Sequence, residues 1–279
     1  NSILFWDMIV LNGYLFLNLL VGWVTLQSER LRIHPPKWIY FFIYLSIIWA
    51  FSIHTVTAFL YQGLPGRHYW LTAIMAARFL ASAFCSGPAI LLLVTLIVEK
   101  VSDFRAGEYA KRTIAKIVTY AMCVNVFFFL LELFTAFYSN IPGHKHSLTY
   151  LFVGEHGHTG MVPWMWTAAV FAILSIILLV IPRTRNNFKV LPFSLIILVI
   201  ATWIDKGLAL LVGGFTPTPF ETVTVYSPTF PEVMISLAVY ASGALVLTLL
   251  YKMAIGIRKD TGTLGKPTEP SVPLEPSTQ

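Results

Sequence analysis

Six ionisable side chains stand inside segments that are otherwise apolar: Asp7, His54, Arg78, Glu132, Asp205 and Lys206. A charge at membrane depth costs roughly 2.5–3.5 kcal/mol on insertion scales, so such residues are by default either functional or paired. Asp7 has the chemistry of a proton acceptor, and His54 that of a relay or hydrogen-bonding group whose charge changes near neutral pH. Arg78 keeps its charge and would hold neighbouring carboxylates ionised. Each also has a purely structural reading: Asp7 as an interfacial residue, His54 as an interhelical hydrogen-bonding group, Arg78 as a snorkelling cation. Glu132, Asp205 and Lys206 form either structural ion pairs or a second polar route for protons. Consecutive residues of an α-helix point about 100° apart, so Asp205 and Lys206 are expected on different faces with different partners.

The elements that position these groups follow from composition. The chain is 57% hydrophobic and only 11% charged over 279 residues, far more apolar than a soluble protein. Crossing the hydrocarbon core takes roughly 20 apolar residues as a helix. Stretches 3–26, 37–60, 71–99, 113–138, 163–182, 188–212 and 231–256 reach about that length. The runs are continuous rather than alternating, which excludes a β-barrel. The expected fold class is therefore all-α, a polytopic transmembrane bundle of about seven helices spanning 1–257, with residues 258–279 as a Pro/Thr/Ser-rich cytoplasmic tail without fixed structure.

Basic residues set the orientation. Arg30, Arg32 and Lys37, Lys100, Arg105, Lys111, Arg112 and Lys116, Arg183, Arg185 and Lys189, and Lys252, Arg258, Lys259 and Lys266 gather on one side, against Arg67 and Lys145 on the other. Residue 1 is then outside and the C-terminus cytoplasmic, in a multi-pass protein of the inner membrane. The net charge of +6 is mostly this topology signal, so no nucleic-acid partner is implied. The chain opens on Asn1 directly at an apolar helix without a signal-peptide pattern, as expected of a fragment.

Helix rise places His54, Arg78, Glu132, Asp205 and Lys206 roughly 9–11 Å below the outer ends of their helices, and Asp7 at about 6 Å. Glu232 begins the last helix at the same face. The inner halves carry interfacial Glu99, Lys100 and Lys116 and neutral groups such as Asn18, Ser46, Thr95, Tyr120 and Asn125. This one-sided polarity suits a lipid-soluble quinol, which needs an apolar slot for its tail, partners for two oxygens and a path to water for two protons. Asp7 would accept one proton, His54 would hold the other oxygen or relay, and Arg78 would position the carboxylates.

Two long outer connections, 139–162 with His144, His146, His156 and His158, and 213–230 with Pro217, Pro219 and Pro228, would form a cap over the helices. The two H-x-H pairs could in principle ligate zinc or copper, but in a solvated loop they read better as a docking surface, and no metal is assigned. Cys85 and Cys123 read as small buried packing groups. There is no C-x-x-C-H and no cysteine cluster, and His54 is the sole histidine within a membrane helix, so neither haem nor an iron–sulfur centre is expected in this chain.

The runs FWDMIVLNGYL and SIHTVTAFLYQGLPGRHYWLTAIMAARFLASAFCSGPA, followed by ELFTAFYS, YLFVGEHG, MVPWMW, TWIDKG, YSPTFPE and ASGALVLTLLYK, closely resemble the NrfD-like (PsrC-type) membrane subunits. The resemblance is nearest the DsrP and HmcC branch, with alternative complex III membrane subunits more distant, and covers residues 3–257. It implies a subunit that exchanges electrons between menaquinone, an exchangeable substrate, and an outer-face ferredoxin-like iron–sulfur subunit, beside a multihaem cytochrome c and other membrane subunits. A DsrMKJOP- or Hmc-like respiratory complex, linked to sulfur metabolism, is the context it suggests. The aspartate of the W-D pair matches Asp7, which takes the quinone-contact role; His54 in SIHT and Arg78 in AARF match family positions too. Members of this branch carry further helices before the W-D helix, one of which contributes to the quinone site, and this chain lacks them. The alternatives are a secondary transporter, or a proton-translocating module without quinone chemistry.

Overall fold

The computed structural model describes residues 2–262 except 156, 219, 221 and 226, together with residue 264. His156, Pro219 and the tail beyond 264 therefore lie outside the described residues. Seven helices are long and apolar enough to cross a membrane, and the protein is an integral, multi-pass, all-α bundle. The helices are α1 (Ile3–Leu31), α2 (Trp38–Gln62), α3 (Met75–Val101), α4 (Glu108–Tyr138), α5 (Pro142–Phe152), α6 (Val162–Val180), α7 (Pro182–Arg185), α8 (Leu191–Trp203), α9 (Leu210–Phe215) and α10 (Phe230–Asp260). A single 3₁₀ turn, His68–Trp70, links α2 to α3, and the π-helical segment Ile204–Ala209 joins α8 to α9 into one span.

Several helices run up to five residues beyond the expected spans, among them α1 to Leu31 and α4 from Glu108, and two further local differences stand out. The connection 139–162 is not all loop: Pro142 supplies a ready first-turn residue and α5 forms across it. The last helix runs on to Asp260, its start fixed by a capping box in which the Thr229 amide donates to Glu232 Oε2 at 2.7 Å. That assigns Glu232 a capping role.

Helices α3, α4, α6 and α8 form the centre, α2 packs on α3, and α1 on α2. Helix α10 has no buried residue among those described. It is tied to α1 at one end, where Arg258 Nε donates to Glu29 Oε1 at 3.0 Å and Arg32 Nη2 to the Thr261 carbonyl at 3.0 Å. Two apolar cores stack along the bundle. One, around Cys85, Leu92, Val118, Met122, Leu191 and Leu198, fills the end that carries most of the Lys and Arg. The other, around Tyr69, Trp70, Met75, Leu148, Leu151 and Met165, lies beneath α5 at the opposite, cap end.

The second core depends on a close helix approach. The Trp70 indole donates to the Leu210 carbonyl at 2.8 Å, and a Cβ at Gly214 would overlap the indole ring. Gly214→Ala should therefore lower stability by about 1–3 kcal/mol through overpacking. Thermal unfolding of the detergent-solubilised chain measures this, and an unchanged midpoint would contradict so tight a contact.

Candidate functional site

The six intramembrane ionisable residues fall into two groups. Arg78 is 1% exposed and pairs with two carboxylates on other elements: Glu132 on α4, itself 3% exposed, and Asp205 Oδ1 at 3.2 Å on the π-helical segment. Asp205 Oδ2 in turn accepts from Lys206 Nζ at 2.8 Å. Two cations and two anions make a neutral chain, Glu132–Arg78–Asp205–Lys206, joining α3, α4 and the α8–α9 span. In low dielectric such a chain persists only because each charge is matched.

This geometry corrects the expectation that Asp205 and Lys206 have different partners. They bind each other, because the backbone is not α-helical there: residues 204–209 wind as a π-helix. The wider turn changes the angular step, and the long lysine stem reaches back to its neighbour. Single π turns of this kind are frequent at functional sites. Snorkelling of Arg78 is likewise ruled out by its burial.

Three polar atoms around this chain are buried without a hydrogen-bond partner among the described residues: Arg78 Nε, Glu132 Oε1 and the Tyr69 hydroxyl. Burial pushes the Tyr69 phenol above its ordinary range, with the positive field of Arg78 pulling the other way. The phenol therefore remains a neutral hydroxyl. A cavity of about 50 Å³ between α4, α6 and α8 ends on Asp205 and carries Asn125 and Thr202 in an otherwise apolar wall.

Asp7 belongs to the other group. Its Oδ1 accepts a 2.8 Å hydrogen bond from the Thr57 hydroxyl, which ties α1 to α2. Among the described residues no cation lies within ion-pair distance of it. Asp7 is half-buried, on an α1–α2 face whose neighbours Trp6 and Met8 are exposed. His54 lies three residues before Thr57, on the same side of α2 one turn away, half-buried and with no hydrogen-bond partner among the described residues. Neither residue touches Arg78 within ion-pair or hydrogen-bond distance.

Thr57 is a partner that the sequence does not single out, since a threonine within an apolar helix usually bonds its own backbone. The spacing of three from His54 is its one signal. Thr57→Val should cost about 1–2 kcal/mol, the loss of a hydrogen bond to a charged group in a half-exposed site. It should also shift the Asp7 carboxylate stretching band in a difference infrared spectrum against Asp7→Asn. An unmoved band would show that the bond is absent in the membrane.

At the cap end, His146 Nδ1 lies 2.8 Å from Glu155 Oε1. His144 is buried, which pushes its imidazole below the usual histidine range, while a bond to the Leu71 backbone opposes this. Among the described residues no group of three or more His, Cys, Asp or Glu side chains is placed to hold a metal. Cys85 is buried, its Sγ 3.3 Å from Met122 Sδ. Cys123 is exposed rather than buried, because the next position on α4 turns away from the core that holds Met122.

At the opposite end Lys111 Nζ bonds both Glu99 oxygens, at 3.0 and 2.9 Å, and sits 4.7 Å from the Phe188 ring centroid. This pair locks α3 to α4 at the membrane boundary.

Residues 1–219 match the family model described as polysulphide reductase, NrfD. A curated relative, a putative dimethyl sulfoxide reductase membrane subunit of Halobacterium salinarum, is 22% identical over 219 residues, which cover 71% of this chain and 49% of the relative. The chain thus spans about half the length of the curated relative it matches.

Proposed function

Because the chain belongs to the NrfD polysulphide reductase family, we propose that it is the quinone-reactive membrane subunit of a respiratory electron-transfer complex in the inner membrane. The observation that carries this reading is Asp7. Glu132 and Asp205 are both neutralised through Arg78, whereas Asp7 is held by Thr57 and matched by no cation among the described residues. An unneutralised carboxylate within reach of a lipid-dissolved ligand is placed to exchange a proton with it.

In this reading Asp7 takes the proton of one quinol hydroxyl and Thr57 keeps the carboxylate aimed. His54, one turn deeper on α2, holds the second ring oxygen or relays its proton. The electrons pass to a ferredoxin-like iron–sulfur partner, beside which a multihaem cytochrome c and further membrane subunits fit the complexes that the sequence resembles. Menaquinone is the quinone and sulfur metabolism the setting that the resemblance suggests. The cap end faces outward and most of the basic residues face the cytoplasm. Arg78 keeps the neighbouring carboxylates ionised and the three central elements in register. Glu132, Asp205 and Lys206 complete that network.

The direct test is quinone binding by the purified chain. A menaquinone analogue should bind saturably in detergent micelles and lose affinity in Asp7→Asn and His54→Ala, while Glu99→Gln, at the far end, leaves it unchanged. Equal affinity in all four proteins would refute the site.

A further inference from the structure

Apart from the intramembrane groups, the cap end contains a second cavity, of about 140 Å³, bordered by His68, Gly143, His146, Ser147 and Thr218. Its wall is rich in donors. Ser147 is 4% exposed, and its hydroxyl faces this space with no hydrogen-bond partner among the described residues. A hydroxyl on the wall of a cavity, not engaged by the protein, can donate to an acceptor held there.

The first turn of α5 borders the same space. Its N-cap position is Ile141, which has no side-chain oxygen to cap the turn, and Pro142 follows. The amides of Gly143 and His144, in the first turn at the positive end of an 11-residue helix, therefore have no side-chain cap among the described residues. Gly143 is required there because a Cβ would overlap the His68 ring.

Two imidazoles line the rest, those of His68 and His146. The carboxylate of Glu155 can only accept, so His146 donates from Nδ1 across their 2.8 Å contact. Arg67, next in sequence to His68, is turned to Phe215, its Nη1 3.3 Å from the Phe215 carbonyl and its guanidinium 4.8 Å from the ring centroid. Thr218 is already engaged with Thr222 at 2.6 Å. No carboxylate among the described residues borders the cavity.

From this arrangement we propose that the cap cavity binds a tetrahedral oxyanion of the phosphate or sulfate type, cradled by the α5 amides and the Ser147 hydroxyl and flanked by His68 and His146. Backbone amides at a helix N-terminus and a hydroxyl donor are the elements that recognise such a group. The anion comes either from solution or as the phosphate head of a membrane lipid, since the cap lies at the membrane boundary. The site is separate from Asp7 and does not depend on quinone chemistry.

The test uses the full chain. Inorganic phosphate and sulfate are titrated calorimetrically in detergent, and the chain is also reconstituted in nanodiscs of phosphatidylcholine or phosphatidylglycerol. Saturable binding is expected, weakened about tenfold in Ser147→Ala and in His68→Gln by loss of one charge-assisted bond, with thermal midpoints near that of the parent chain. A dissolved-anion site shows the same phosphate affinity in both nanodiscs. A lipid-head site shows phosphate binding blocked in phosphatidylglycerol and intact in phosphatidylcholine. No saturable binding in either medium, affinity unchanged in both variants, or binding of an acidic peptide alone would overturn the proposal.

Discussion

Arg78→Ala is expected to destabilise the chain more than Gly214→Ala or Thr57→Val, and Arg78→Ala combined with Glu132→Gln to recover much of the loss. The guanidinium is 1% exposed and bridges Glu132 on α4 to Asp205 on the π-helical segment. Truncating it leaves the buried Glu132 and the partly buried Asp205 facing one lysine. Removing one partner of a buried pair costs about 3–5 kcal/mol because the other charge is stranded, a large part of the roughly 5–15 kcal/mol that holds a folded domain together. The second substitution removes the stranded Glu132 charge, leaving the Asp205–Lys206 pair, 2.8 Å apart, neutral by itself. Thermal midpoints and yields of detergent-solubilised protein measure both steps. If the single variant melts with the parent chain, the neutral network is not what holds these helices together.

The same network shows where sequence reasoning reaches and where it stops. The seven spans are legible because a helix in lipid must be apolar for its whole length, and that pattern survives without knowledge of neighbours. Orientation of one helix end against another follows from chain order, so the shared depth of Arg78, Glu132 and Asp205 is also legible. Which carboxylate meets Arg78 is not, because contacts between helices depend on rotation about each axis, and nearly uniform apolarity gives no face to read. The Asp205–Lys206 pair fails for a different reason: a 100° step holds for an α-helix, and residues 204–209 do not form one. Helix α5 is hidden in a polar connection whose residues favour no single conformation strongly. Its formation depends on packing Leu148 and Leu151 against the core beneath it.

Asp7→Asn carries the other large expected effect, on turnover rather than on folding. The amide has the shape of the carboxylate, and its oxygen still accepts from Thr57, so the α1–α2 contact survives. What it loses is the capacity to take a proton, which as general base catalysis contributes about 10²–10⁴-fold. Menaquinol-dependent electron transfer by the assembled complex should therefore fall at least about a hundredfold, with the thermal midpoint close to that of the parent. Arg78→Ala/Glu132→Gln should show the opposite separation, a lower midpoint with turnover retained in the fraction that assembles. The two variants divide the charged residues by what they do: one group balances charge so that helices can pack, and the other leaves one carboxylate unbalanced so that it can react. Full turnover in Asp7→Asn would move the chemistry to a different residue, and a collapse of its thermal midpoint would place Asp7 with the structural charges instead.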